Sequence, residues 1–224
     1  NGTGLSRNEQ YRRNIGEGIT WLTITEDALA EAIDVVNRLR ELSIYAANGT
    51  LSPEDRLTIA PEVEQLYHHL VLAGNTEMGN LYVFGGHQTQ APPFVVKVDG
   101  ELIYEGDNGE RIIEITTANS MAININGEEA FGEEMALFTA IEEMLEALEK
   151  NDLKKLGGDV LQGLDQSLDR LLQVRSEVGA RMGRLLGTDD RLHGEHIHLR
   201  ELRSKIEDID VAGLITEFMM QENA

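Results

Sequence analysis

Leu164, Leu171, Val178, Leu185, Leu192, Leu199 and Ile206 stand seven residues apart without a miss. A strand alternates every two residues and a loop keeps no period, so only a long helix holds such a series on one side. The spacing predicts one nearly continuous helix from about residue 152 to 222, running through Gly187-Thr188-Asp189-Asp190. Gly179, Gly183 and Gly187, four residues apart, weaken it intrinsically and are expected to let a neighbouring helix approach closely. A helix of this length cannot bury its apolar seam against itself. It needs a partner of comparable length.

The partner is visible near the other end of the chain. Leu22, Leu29 and Val36 repeat every seven residues, Ala32, Ile33, Leu39 and Ala46 fill the same face, and no proline interrupts residues 8–47. At about 1.5 Å per residue this is a helix of roughly 60 Å. Asn48-Gly49-Thr50 ends it, and Ser52-Pro53-Glu54-Asp55 starts the next, with serine as cap, proline in the first turn and acids at the positive end of the dipole. Ile59, Val63, Leu66, Leu70 and Ala73 form a second seam, in which Pro61 is expected to make a kink.

The composition changes at Leu81. Val96–Val98, Leu102–Tyr104, Ile113–Ile115 and Met121–Ile125 alternate apolar and polar residues as strands do. Asp99-Gly100 reads as a two-residue hairpin turn, and Asn108-Gly109 and Asn126-Gly127 as further turns. Helix returns at Glu133 and runs to about Lys150. The expected fold is mainly α: a long antiparallel coiled-coil rod (residues 1–81 and 132–224) with an inserted β-rich domain (82–131).

Composition closes off several functions. The chain has 40 acidic and 19 basic residues, a net charge of −21. Nucleic acid and anionic membranes are recognised by clustered Lys and Arg, and no such run occurs. There is no cysteine, which excludes disulfides and thiolate metal sites and suits a protein that travels unfolded to an oxidising exterior. No apolar run reaches membrane-span length and no signal peptide is visible. The chain opens on Asn1 rather than Met and closes inside a helical pattern, so both ends are expected to be truncated.

One segment tempts a catalytic reading. His193-Gly194-Glu195-His196-Ile197-His198 holds three of the six histidines and a glutamate. On a helix each residue advances about 100°. With Leu192 facing the core, His193 lies about 100° away, His196 about 40° and His198 about 240°, so one helix cannot gather all three on one ion. His193 and His196 form an i, i+3 pair that needs further ligands from elsewhere. The H-E-x-x-H pattern and its inverse are both absent. His68-His69 point to different faces. Gly85-Gly86 lacks the spacing of a phosphate loop, no G-x-S-x-G occurs, and Trp21 is expected to pack within the rod. No catalytic, cofactor or metal site is assigned.

Five stretches, in order, carry a family likeness. Tyr11-Arg12-Arg13-Asn14-Ile15 and Arg40 to Gly49 fit one first helix; Leu81 to Thr89, running on to Pro92-Pro93-Phe94, leads from helix to β region; Val178-Gly179-Ala180-Arg181-Met182 and Ser204-Lys205-Ile206-Glu207-Asp208-Ile209-Asp210 mark one last helix. The set resembles the flagellin family, and the Leu81–Phe94 segment resembles its hook-associated members at the hook-filament junction. Pro61 departs from that pattern. So does the lack of any counterpart to the family's terminal coiled-coil segments, which makes this piece an expected monomer. The resemblance implies a structural adapter of the bacterial flagellum, needed for filament assembly and motility. It implies export through the flagellar channel to an extracellular location. The implied partners are another hook-associated protein, flagellin, further copies in a ring when full length, and an export chaperone. Ser204, Ile206, Glu207, Asp208 and Asp210 are the interaction candidates. The alternatives are a flagellin filament subunit and, from another class, a metal-dependent enzyme using His193 and His196.

Overall fold

The structure, a computed structural model, describes residues 2–222. Its main elements are α1 (Gly2–Ala46) and α7 (Asp159–Glu222), of 45 and 64 residues. Between them lie α2 (Pro53–Leu57), α3 (Ala60–Gly74), six short strands, α4 (Gly127–Phe131), α5 (Ala136–Glu149) and α6 (Leu153–Gly157). The contacts divide the described chain into two compact units. Unit 1 comprises the residues up to Ile19, Ile113–Met121 and those from Gly183 onward; unit 2 comprises Thr20–Ile112 and Ala122–Met182.

In unit 2 the two long helices run antiparallel. Glu26 pairs with Arg175 at 3.4 Å, Arg40 with Asp165, and the Ser43 hydroxyl donates to the Leu156 carbonyl at 2.6 Å. The first number rises while the second falls. Leu22, Leu29, Val36 and Leu39 of α1 and Leu164, Leu171 and Val178 of α7 are fully buried. Each such side chain contributes about 1.5–3 kcal/mol on leaving water. α5 adds Leu137, Phe138, Ile141, Met144 and Leu148 as a third layer. Trp21 is fully buried, with the Arg111 guanidinium 4.5 Å from the ring centroid. Unit 1 shows the same antiparallel order: the Asn8 amide donates to the Leu192 carbonyl at 2.9 Å and Arg12 pairs with Asp189 at 3.2 Å.

The second helical segment departs from expectation. Ser52 caps α2 in a full capping box with Asp55, but the helix stops at Leu57 and α3 begins at Ala60 with Pro61 in its first turn. Proline there has no hydrogen bond to lose, so Pro61 starts a helix rather than kinking one. α1 begins at Gly2, six residues before the expected start, and Gly158 separates α6 from α7, so the final helix starts at Asp159 rather than 152.

The turn after α1 is held by a residue that periodicity does not reveal. Arg56, 2% exposed, donates from Nε to the Ala46 carbonyl at 2.7 Å and from its guanidinium to the Asn48 carbonyl at 2.6 Å. It also donates to the Asn151 side chain at 2.7 Å. A buried cation thus satisfies carbonyls left open at the negative end of a helix dipole.

The strands form three two-stranded sheets: β1 (Glu77–Met78) with β2 (Leu81–Tyr82), β3 (Phe94–Val96) with β4 (Leu102–Tyr104), and β5 (Ile112–Glu114) with β6 (Ser120–Ala122). The first expected strand lies two residues earlier than Val96–Val98, and Val98 is fully exposed at the hairpin tip. Lys97 N donates to Glu101 O and Gly100 N to Lys97 O, leaving a three-residue loop with Gly100 at φ +88° instead of a two-residue turn. Asn126 is the N-cap of α4, in a capping box with Glu129, where a turn was expected. Ile123 and Ile125 are buried outside any strand.

An aromatic cluster docks this region on the helices of unit 2. Phe94 packs against Tyr104, Phe131 and Phe138 with ring centroids 5.2–5.3 Å apart. Gly74 lets the Phe94 ring sit where a Cβ would lie 2.6 Å from it. The Asn75 side chain pairs with the Phe94 backbone in both directions, at 2.8 and 2.9 Å, as a strand would. The Tyr104 hydroxyl donates to the Phe84 carbonyl at 2.7 Å and accepts from Gly127 N at 2.9 Å, and burial pushes its phenol up to about 12. The Leu81–Phe94 stretch is therefore a joint of buried aromatics between α3 and the β region. Asp107 closes the adjoining loop by accepting from His87 N at 2.7 Å and Gly109 N at 2.8 Å, and these bonds hold its carboxyl below the usual range.

Two outcomes test these anchors. Arg56→Met is expected to cost about 2–4 kcal/mol in urea unfolding, because it strands buried carbonyls; a change within about 0.5 kcal/mol contradicts the capping role. A lowered carboxyl stabilises the fold above the ordinary carboxylate range and loses that contribution as pH falls through its folded value. The His87 and Gly109 amides should thus lose exchange protection on acidification of the wild type, and Asp107→Ala should abolish their protection at neutral pH.

Candidate assembly surfaces on the last helix

The heptad series of α7 meets its limit in unit 1. Leu185 and Leu192 are buried, Leu199 is half-buried, and every described residue from Arg200 to Glu222 is exposed. Gly4, in the first turn of α1, faces the seam at this level: a Cβ there would lie 4.0 Å from the Leu199 side chain. Beyond it Leu202, Ile206 and Ile209 continue the apolar line into solvent. Val211, Leu214, Ile215, Phe218 and Met219 form a second exposed apolar face. Exposed apolar runs of this extent call for cover, from the same chain or from another protein.

The sequence-derived candidates do not gather into one cluster. Taking about 100° per residue from Leu192, Ile206 and Asp210 lie near the seam, Glu207 about 60° from it, Ser204 about 120° and Asp208 about 160°. Ser204 and Glu207 share a groove with Leu5 and Glu9 of α1 and with His196, Arg200 and Arg203 of α7. Glu207 accepts from Arg203 at 2.8 Å. Ile206, Asp208 and Asp210 are exposed. Periodicity does not single out Arg200 and Arg203; their signal is two arginines three apart on a chain that is otherwise strongly acidic.

His196 is half-buried at this groove, and its enclosed Nδ1 has no hydrogen-bond partner. His193 and His198 are exposed and on other faces. Among the described residues no group of three His, Asp or Glu side chains is placed to hold a metal ion. His68 stacks edge-on to Tyr67 at 6.0 Å, and His69 lies 3.9 Å from Glu31. Among the described residues no helix is long and apolar enough to cross a membrane.

Residues 3–89 match the family model for the bacterial flagellin N-terminal helical region. Flagellar hook-associated protein 3 of Salmonella typhimurium is 26% identical over 247 residues, 98% of this chain and 76% of that protein. The chain is thus similar to flagellin-family proteins, through the family model in its first helices and through hook-associated protein 3 along almost its whole length. Among solved structures, flagellar hook associated protein-3 from Legionella pneumophila superposes with a TM-score of 0.83 at 18% identity, covering 91% of this chain and 97% of that one. Two folds from one organism give a sharper contrast. Bacillus cereus FlgL reaches 0.75 at 24% identity over 88% and 95% of the two chains, whereas Bacillus cereus flagellin reaches 0.57 at 17% over 80% and 88%. The relatives and structural neighbours named here are flagellar proteins, and this chain shares their mainly helical fold.

The glycines of α7 differ from expectation. A Cβ at Gly179, Gly183 or Gly187 meets nothing within 4 Å, so these positions face open space and mediate no helix approach within the described chain. Gly183→Ala and Gly187→Ala are each expected to raise stability by about 0.5–1 kcal/mol, read by thermal unfolding. A loss would mean that the glycines face a packed neighbour.

Proposed function

We propose that the chain is the adapter connecting a ring of another hook-associated protein to the first flagellin subunits, and that filament growth and motility depend on it. The observation that carries this reading is the likeness to flagellar hook-associated protein 3 of Salmonella typhimurium along 98% of the chain. On α7 every described residue from Arg200 to Glu222 is exposed. Ser204, Ile206, Glu207, Asp208 and Asp210 lie on this exposed stretch and are the proposed interaction residues.

Residues 82–131 act in this reading as a β-rich insertion in a helical rod of residues 1–81 and 132–224, and the Phe94 cluster supports it as a docked body. The other partners are further copies of the chain in a ring and a chaperone that shields the apolar helix before export. The place of action is the flagellum outside the cell. The small insert, and a fold nearer to FlgL than to flagellin of the same organism, favour junction over filament.

Deletion of the gene from its flagellated host tests this directly. Hooks without filaments, with flagellin released into the medium, are expected. Hooks with no flagellin anywhere would make the chain the filament subunit, and normal filaments would refute the adapter role.

A further inference from the structure

The charge of this chain is unevenly placed. The segments of unit 1 carry 8 basic and 12 acidic residues, net −4, while those of unit 2 carry 11 and 28, net −17. Within unit 1 the groove beside Ser204 concentrates donors. Arg200 and Arg203, three apart, are neighbours on the helix surface. Among the described residues Arg200 has no ion pair or hydrogen bond, Arg203 has Glu207 alone, and the enclosed Nδ1 of His196 is unpartnered. Two guanidiniums beside an imidazole fit planar carboxylates, which they bind through paired hydrogen bonds.

Unit 2 carries the complement. Glu133, Glu134 and Glu143, three carboxylates against the one cation Arg170, line a groove between α5 and α7. The nearby Glu142 and Glu146 are engaged by Tyr67 and Lys150, but Glu133, Glu134 and Glu143 have no side-chain partner among the described residues.

We propose that the Arg200–Arg203 groove of one copy takes the Glu133–Glu143 face of a second copy. This deepens the ring reading above and rests on it. The two surfaces differ, so the contact is head-to-tail, the type that repeats from copy to copy and closes into rings when the rotation allows. Electrostatic matching fixes which neighbour docks, and in what register, more than it adds affinity.

The test is a charge exchange made in the gene, in its flagellated host. R200E/R203E and E133R/E143R should each reduce filament-bearing cells by roughly tenfold and release flagellin, as expected for reversed charges at a contact. Carrying both pairs on one chain should restore filaments to at least about half the wild-type level, because every copy then presents both exchanged surfaces. Equal thermal melting of the purified variants and parent shows that folding is intact, and a neutral pair, R200Q/R203Q with E133Q/E143Q, replaces any variant that melts early. Wild-type filaments in either exchanged variant, or no recovery in the combination, overturn the contact. A deletion strain with normal filaments would instead overturn the adapter reading itself.

Discussion

Burial of the α7 seam is the constraint on which the rest depends. An isolated helix is marginal in water, and a long one persists because another element covers its apolar line. In unit 2, α1 and α5 provide that cover, and Leu164, Leu171 and Val178 are fully enclosed. In unit 1, α1 and the 116–118 segment lie beside α7, and the first turn of α1 lies opposite Leu199. From Arg200 to Glu222 every described residue of α7 is exposed.

The same constraint explains what was legible in the sequence. The long helices were readable because a period of seven, kept over many turns, has no other structural meaning. Ser52 and Asp55 announced a helix start through their capping chemistry, and the structure shows that box intact. Asn126 and Glu129 carry the same spacing, but the pair Asn126-Gly127 also spells a turn, and only burial of Ala130 and Phe131 decides for the helix. The apolar run Ile59 to Ala73 kept its seam and lost its continuity, since seam spacing is blind to a two-residue break that places Pro61 at a helix start. Arg56 was invisible for another reason. Its three partners lie in segments that only the fold brings together.

The proposed surface draws on sequence and fold together. The Ser204–Asp210 candidates lie on the exposed part of α7, and the Arg200–Arg203 pair that the fold adds stands just before them. Their role depends on which groups lie nearby without satisfying them, and that is a property of the fold. The His193–His198 segment shows the converse. Its residue types suggest a metal, and helical geometry disperses them, leaving His196 alone at the groove.

The most direct test of the central claim is backbone amide exchange along α7 in the purified chain. The uncovered end predicts slow exchange from about residue 160 to 192 and fast exchange beyond Leu202, where no buried contact holds the helix. Uniform protection to Glu222 would contradict it, because the terminal turns would then be covered within the chain and not reserved for partners.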